Sequence, residues 1–151
     1  MSDTSDLLEG IARMIATAGI GVSYNKDGWY VGSTTGVYMK TTPDKPDRAV
    51  VLNSVNQGDD ITMPLGEVMV QVKGRGAANR PLDVDDLLDD IFAILHGTTG
   101  LAFGGIIVIQ MNRRVSVPMG RDDNNRWSRI DQYYLDVEAT PTSNRPIGGS
   151  W

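Results

Sequence analysis

Residues 67–97 constrain the fold of this chain more than any other stretch, because they predict a strand, a turn and a helix in succession. Val68, Val70 and Val72 alternate with other residue types, which is typical of a strand with one buried face. The glycines of residues 74–76 end that strand. Six apolar residues then recur at helical spacing and form one wide stripe: Val84, Leu87, Leu88, Ile91, Phe92 and Leu95.

The ends of this central helix also carry local signals. Asp83 is the predicted N-cap, and Leu82 and Leu87 have the spacing of a hydrophobic staple. Gly97 can adopt the left-handed conformation that ends a helix. The agreement of these signals predicts a helix from about residue 83 to residue 96.

The remaining elements predict the fold class. Residues 3–18 have helical apolar spacing, and residues 49–55 are a predicted strand. Residues 106–111 are nearly all apolar, as expected for a strand buried on both faces. In the last strand the apolar side switches near Ile130, which predicts a bulge or a bend. We therefore expect an α+β fold, a mostly antiparallel β-sheet with two α-helices packed on one face.

The domain organisation follows from length and composition. The 151 residues are enough for one domain with a core. After Thr140 the sequence is rich in Thr, Pro, Ser, Asn and Gly, with few apolar groups. We therefore expect a single α+β domain in residues 1–140 and a flexible C-terminal tail in residues 141–151.

The chain offers few groups for catalysis or metal binding. It has no cysteine, and His96 is its only histidine, which excludes disulfides, thiolate sites and histidine-based triads. Asp85, Asp86, Asp89 and Asp90 share the polar face of the central helix, which we interpret as a solvated or partner-binding face rather than a metal site. The sequence therefore predicts no enzyme activity, no catalytic residues, no cofactor and no metal.

Charge and hydropathy limit the partners. The net charge is −5, which argues against general nucleic-acid binding, because affinity for phosphate depends on clustered Lys and Arg. No stretch of the sequence is long and apolar enough to span a bilayer. We expect neither tight nucleic-acid binding nor a membrane partner.

Four stretches carry a resemblance to a known family. They are residues 46–52 (PDRAVVL), 68–76 (VMVQVKGRG), 94–97 (ILHG) and 125–139 (NRWSRIDQYYLDVEA). With these stretches in this order, the chain resembles the tail terminator proteins of long-tailed bacteriophages, often labelled minor capsid proteins. The resemblance extends from the first helix to the last strand, and Lys73 stands where many relatives have arginine.

The resemblance implies a structural virion protein with an α+β fold that forms a ring, usually a hexamer. Such a ring caps the tail tube at full length, ends tail growth and provides the head–tail joining surface. The implied partners are further copies of the chain, the tail tube protein and the head–tail connector proteins. The implied location is the neck or tail of the virion, after assembly in the host bacterial cytoplasm. No catalytic residue carries over, because the family has none.

Three alternatives stay open at this point. The chain could be another neck or head-completion ring protein, or a tail tube subunit, which would polymerise into long tubes instead of discrete rings. A remote alternative is a small enzyme that uses aspartates for acid–base chemistry, which requires burial to shift their pKa. A third is a small-molecule or peptide binding module, which an apolar pocket would support.

The sequence also suggests which surfaces assemble. We expect arginines at the sheet edges to meet acidic residues of the next copy in the ring. The candidate subunit-interface residues are Arg75, Arg113, Arg129, Asp85, Asp86, Asp89 and Asp90. Contacts with the tube and the connector are assigned to loops 41–48, 56–66 and 118–126 and to the tail after Thr140, because polar loops suit binding of different partners.

Overall fold

The computed structural model describes residues 2–146. Its helices and strands, in chain order, are α1 (Asp3–Thr17), β1 (Val22–Ser23), β2 (Thr35–Met39), β3 (Ala49–Asp59), β4 (Leu65–Arg75), α2 (Asp83–Leu95), β5 (Thr99–Phe103), β6 (Ile106–Arg121) and β7 (Trp127–Glu138). Both helices pack on one face of a single sheet. The predicted α+β class is therefore confirmed. Within residues 2–146, no helix has the length and apolar character needed to cross a bilayer.

The sheet is built around four long antiparallel strands. The order of its strands is β1-β2-β3-β4-β7-β6-β5. The pairs β3–β4, β4–β7, β6–β7 and β5–β6 are antiparallel, whereas β1–β2 and β2–β3 are parallel. The short strands therefore flank a broad platform made of β3, β4, β7 and β6.

The core lies between the helices and one face of this platform. Val70 and Val72 of β4 are buried there, as the alternation in β4 predicts. Gly74 allows α2 to approach closely, because a Cβ at that position would lie 2.7 Å from Leu88 Cδ2. The buried stripe of α2 is confirmed at five of its six positions: Val84, Leu87, Leu88, Ile91 and Leu95.

Phe92 departs from the predicted stripe, because it is half-buried at the border of the core. The N-terminal signals of α2 are also wrong in detail. The N-cap position is Leu82, which is 70% exposed and therefore forms no hydrophobic staple. Asp83 is the first helical residue, and its Oδ2 accepts bonds from Ala77 N–H (2.8 Å) and Arg48 Nε (3.1 Å). This carboxylate therefore ties the helix start to two loops.

Strand β7 contradicts the predicted bulge. Its register with β4 is continuous from the pair Leu65–Glu138 to the pair Arg75–Ser128. Arg129 and Asp131 lie on the buried face and are 7% and 1% exposed. The apparent switch of apolar residues therefore reflects two buried charged residues in a regular strand.

Strand β6 contradicts two further expectations. Ile107 and Ile109 are 39% and 44% exposed, so within this chain the strand is buried on one face only. The strand also continues through Pro118 to Arg121, into the segment predicted to be a loop. Likewise β3 extends to Asp59, and β4 begins at Leu65, so the predicted loop 56–66 is reduced to a short turn.

Two strand segments have an open edge within residues 2–146. Strand β5 pairs with β6 only as far as Gln110, and residues 96–98 contact β6 only as far as Arg113. Residues 114–121 therefore have β7 on one side alone. On the opposite side of the sheet, β2 pairs with β3 only as far as Leu52, which leaves residues 53–59 open. These open segments carry exposed apolar side chains: Val55, Val115, Val117 and Met119.

The described part of the C-terminal segment contacts the domain at two points. The Thr140 hydroxyl donates to Asp3 Oδ1 at 2.6 Å, and Arg145 lies 3.7 Å from Asp59. Residues 141–146 contain no helix or strand. Residues 147–151 of the predicted flexible tail lie outside the described residues, and the boundary at residue 140 stays a prediction.

Candidate functional site

Arg129 is at the centre of a cluster of charged side chains on β7, α2 and β6. β7 places Arg129 and Asp131 on the same face, two residues apart, and helix α2 crosses that face. The Arg129 guanidinium binds both carboxylate oxygens of Asp131, at 2.9 and 2.8 Å. It also reaches Asp85 at 3.1 Å and Asp89 at 3.0 Å, one helical turn apart. Two of the four acids on the polar face of α2, Asp85 and Asp89, therefore bind a guanidinium group.

Asp131 is the most deeply buried acid of this cluster. Burial alone would raise the pKa of Asp131, but hydrogen bonds from Arg129 and Ser116, together with the charges of Arg129 and Arg113, outweigh it and lower the pKa. The Ser116 hydroxyl donates at 2.6 Å and Arg113 at 3.3 Å. The cluster is thus a network of paired charges with a buried centre at Asp131 and Arg129, and it connects α2 with β6 and β7.

Arg113 extends the cluster towards solvent. Its Cζ lies 4.0 Å from the centroid of the Phe92 ring, and that ring stacks on His96 at 4.6 Å. His96 Nδ1 accepts a bond from the Arg113 backbone N–H at 3.0 Å. Both the histidine and the arginine are therefore engaged in contacts between α2 and β6, which is a structural role.

A second cluster of charged side chains holds the loop of residues 41–48, and Arg75 is one of its buried members. Arg75 donates to the carbonyl oxygens of Asp47 at 2.7 Å, Pro46 at 2.9 Å and Asp44 at 3.3 Å. Burial and the nearby Arg126 lower the pKa of Arg75. Arg75 therefore holds loop 41–48 through main-chain carbonyl groups, and these contacts do not depend on the side chains of the loop.

Arg126, which immediately precedes β7, completes this second cluster, and it was not among the sequence-based candidates. It donates to Asp122 Oδ2 at 2.9 Å, to Asp47 Oδ1 at 3.1 Å and to the Asp44 carbonyl at 2.6 Å. These bonds connect the β6–β7 hairpin tip with loop 41–48. Only 4% of the Arg126 side chain is exposed, so the connection is buried. The spacing of Asp122 and Arg126 across the hairpin tip is the sequence feature that could have indicated this role of Arg126.

The candidate interface residues therefore fall into two groups. One group is paired within its own chain, and its contact with a second copy stays a prediction: Arg75, Arg129, Asp85 and Asp89. Arg113 keeps a quarter of its side chain exposed. Asp86 and Asp90 are exposed and form no ion pair with the part of the chain that the structure describes. This exposed group is the one available to another protein.

The site offers little for small-molecule chemistry. Within residues 2–146, no group of three or more histidine or acidic side chains is arranged to hold a metal ion. A surface depression of about 300 Å³ beside β2 is lined by Tyr24, Tyr38 and Met39, among others. That volume is at the lower limit of ordinary ligand pockets, and the charged clusters described above lie elsewhere.

Comparison with known proteins gives one family. The model of a family described as bacteriophage tail terminator protein matches residues 14–139. The match includes every strand of the sheet, helix α2 and both charged clusters. No curated protein matches the chain.

Proposed function

The chain belongs to the bacteriophage tail terminator family, and from this membership we propose that it forms a ring that caps the tail tube, ends tail growth and provides the surface for head–tail joining. A structural role in a phage tail follows from the family itself. The finer proposal adds the ring, its partners in the tail tube and the head connector, and its place in the virion neck. The observation that carries it is the family match over 126 consecutive residues, 14–139.

The surfaces of the molecule support a role in assembly. Loop 41–48 and the β6–β7 hairpin tip are adjacent and are tied together through Arg126. Together they form an ordered polar projection at one end of the sheet, which suits contact with a different protein on one ring face. The turn between β3 and β4 lies at the other end of the strands. Two opposite ends are available for two different partners.

The charge of the chain supports passage of DNA without retention. The net charge is −5, and a DNA conduit of this sign repels phosphate over the distance set by ionic screening. Asp86 and Asp90 add exposed negative charge on α2. We propose a hexamer as the closed form, with copies of the chain in heterologous contact around a rotation axis.

Electron microscopy of the purified protein, combined with light scattering, tests the proposal. Discrete rings whose mass is about six times 16.4 kDa are expected. Long tubes of uniform diameter would instead identify a tail tube subunit. Tail assembly with and without the protein gives the second measurement. Tails assembled without it should exceed the normal length, and tails of unchanged length would overturn the terminator function.

A further inference from the structure

Resting on the ring of the proposed function, we propose that neighbouring copies pair their two open strand segments. Residues 114–121 of β6 in one copy would lie antiparallel to residues 53–59 of β3 in the next, so that the sheet continues around the ring. The two segments lie on opposite sides of the sheet and have no strand neighbour there within residues 2–146. An unpaired row of N–H and C=O groups is a template for another strand.

The backbone of β3 presents the required groups. The Leu52 carbonyl accepts the Lys40 N–H at 2.8 Å on the side facing away from β4. Because successive residues of a strand alternate in direction, Ser54 and Asn56 also direct their N–H and C=O groups to that side. The Ser54 N–H bonds to the side chain of Asn53 at 2.9 Å, so the Asn56 groups and the Ser54 carbonyl are the open ones.

The backbone of β6 presents the complementary groups. The Arg113 N–H points away from β7, because it donates to His96 Nδ1. A one-residue shift in register follows between Arg113 and Val115, after which Ser116 and Pro118 have the outward direction. Proline occurs in sheets where its missing N–H would face an open edge. Pro118 therefore confirms this orientation independently, and Ser116 supplies the outward N–H.

These directions fix one register. Ser116 lies opposite Asn56, and the two residues exchange both backbone hydrogen bonds. Val117 then lies opposite Val55, and both side chains are on the face of the sheet that the helices leave uncovered. In the single chain Val55 is 43% exposed and Val117 is 39% exposed. The pairing covers two valines that would otherwise stay in water.

The charges of the two segments are complementary. The β6 segment contains no acid, and in this register its first residue, Arg114, lies at the same end of the pair as Asp59, the last residue of the β3 segment. Arg114 is 3.7 Å from Glu67, and its side chain is 51% exposed. Asp59 is 3.7 Å from Arg145, and its side chain is 49% exposed. Exposed pairs of this length hold their partners weakly, so these charges can also attract the next copy.

The stagger of the segments predicts a closed ring. Within one chain Val117 is level with Val51, through the cross-strand pairs of Ile130 and Lys73. Pairing it with Val55 of the next copy shifts the sheet by four residues, about 14 Å, over four interstrand spacings, about 19 Å. The strands then tilt by about 35° from the ring axis, within the range that closed barrels require. Two-fold pairing of one segment with itself would leave the other segment open.

Disulfide cross-linking tests this interface, because the chain has no native cysteine. The double variant Val55→Cys/Val117→Cys places two thiols directly opposite each other across the interface, about 4.5 Å apart at Cα. Within one chain the same positions are three strand spacings and four residues apart, about 20 Å in all, too far for a disulfide. Oxidation should therefore produce a ladder of covalent oligomers up to the full ring on a non-reducing gel.

Matched controls separate pairing from random oxidation. The single variants Val55→Cys and Val117→Cys should give no ladder. Val55→Cys/Ile109→Cys should also give none, because Ile109 is similarly exposed, at 44%, but lies on the part of β6 that β5 accompanies. A ladder of equal strength from this control would overturn the proposed pairing.

The mass of the same sample distinguishes the two proposals. The oxidation is carried out on the free protein and on the protein bound to tail tubes, with scattering or microscopy in parallel. A ring without a ladder overturns the strand pairing and leaves the terminator function standing. Absence of a ring in both samples overturns the ring of the proposed function and the pairing with it. A ring with a ladder confined to Val55→Cys/Val117→Cys supports both.

Discussion

Replacing Arg129 with methionine is the sharpest test of what its charge cluster does. Methionine keeps most of the side-chain length and removes the guanidinium group. That group makes four hydrogen bonds of 2.8–3.1 Å, two to Asp131 and one each to Asp85 and Asp89. All four are within one chain, so the structure predicts that Arg129→Met weakens the fold of the single copy.

The magnitude depends mainly on Asp131, whose side chain is 1% exposed. Without Arg129 this carboxylate keeps only Ser116 at 2.6 Å and Arg113 at 3.3 Å. Removing one member of a buried ion pair costs about 3–5 kcal/mol of unfolding free energy. The bonds to helix α2 are more exposed, and each adds under about 1 kcal/mol. We therefore expect a loss of about 3–5 kcal/mol at pH 7.

The loss should depend on pH in a defined direction. Although burial raises the pKa of Asp131, its hydrogen bonds and the nearby arginines keep it below the ordinary value of 3.8. In the wild type this lowered pKa contributes stability that is present above pH 3.8 and is lost as the pH falls through the folded-state pKa. In Arg129→Met fewer hydrogen bonds and positive charges counteract the burial of Asp131, so its pKa is higher than in the wild type. Protonation of Asp131 at low pH then removes the buried charge. The difference in unfolding free energy between the variant and the wild type should therefore become smaller as the pH falls from 7 to about 4.

Urea unfolding followed by circular dichroism measures the loss, with Arg114→Met as the matched control. Arg114 is half-exposed and is 3.7 Å from Glu67, so its replacement should cost under about 1 kcal/mol. A loss below about 1 kcal/mol for Arg129→Met would show that this buried ion pair does not stabilise the single copy. So would dispersal of the ring with unchanged unfolding, which would return Arg129 to the interface between copies.

Three further outcomes are expected. In urea unfolding, Leu88→Ala should lower the unfolding free energy by about 2–5 kcal/mol, whereas Phe92→Ala should lower it by less than about 3 kcal/mol because Phe92 is half-buried. Equal losses would contradict the difference in burial between the two residues. Gly10→Ala should lower the thermal midpoint although alanine is the better helix former by about 1 kcal/mol, because a Cβ there overlaps the Phe103 ring; a raised midpoint would show that the ring moves aside. A gel shift at low micromolar protein and physiological salt should detect no duplex DNA binding, and a shifted band would show that the net charge of −5 does not prevent it.

The sequence predicts this fold best where local signals and burial agree. The alternating valines of β4 and the apolar stripe of α2 each depend on one chain segment and on one face. Val70 and Val72 are buried as expected, and so are five of the six stripe residues. Fold class follows from them, because two amphipathic helices and a set of strands have few ways to cover one core.

Two of the wrong predictions share a physical cause, which is that polar residues occupy buried positions. Arg129 and Asp131 neutralise each other on the buried face of β7, so hydropathy alone predicted a bulge where the strand is regular. Arg75 satisfies carbonyl oxygens of a loop about thirty residues away in sequence. Such partners come from distant segments, and no periodicity in one segment reveals them. For the same reason the sequence placed Arg75 and Arg129 at a surface.

The arginine contacts of loop 41–48 have a consequence for the speed of docking. Arg75 and Arg126 hold the carbonyl oxygens of Asp44, Pro46 and Asp47 while the chain is alone. The conformational freedom of that loop is thus lost during folding and not during association. A protein that docks on this loop meets a single backbone shape. Its association rate is then set by collision and orientation, without a waiting time for the loop to order.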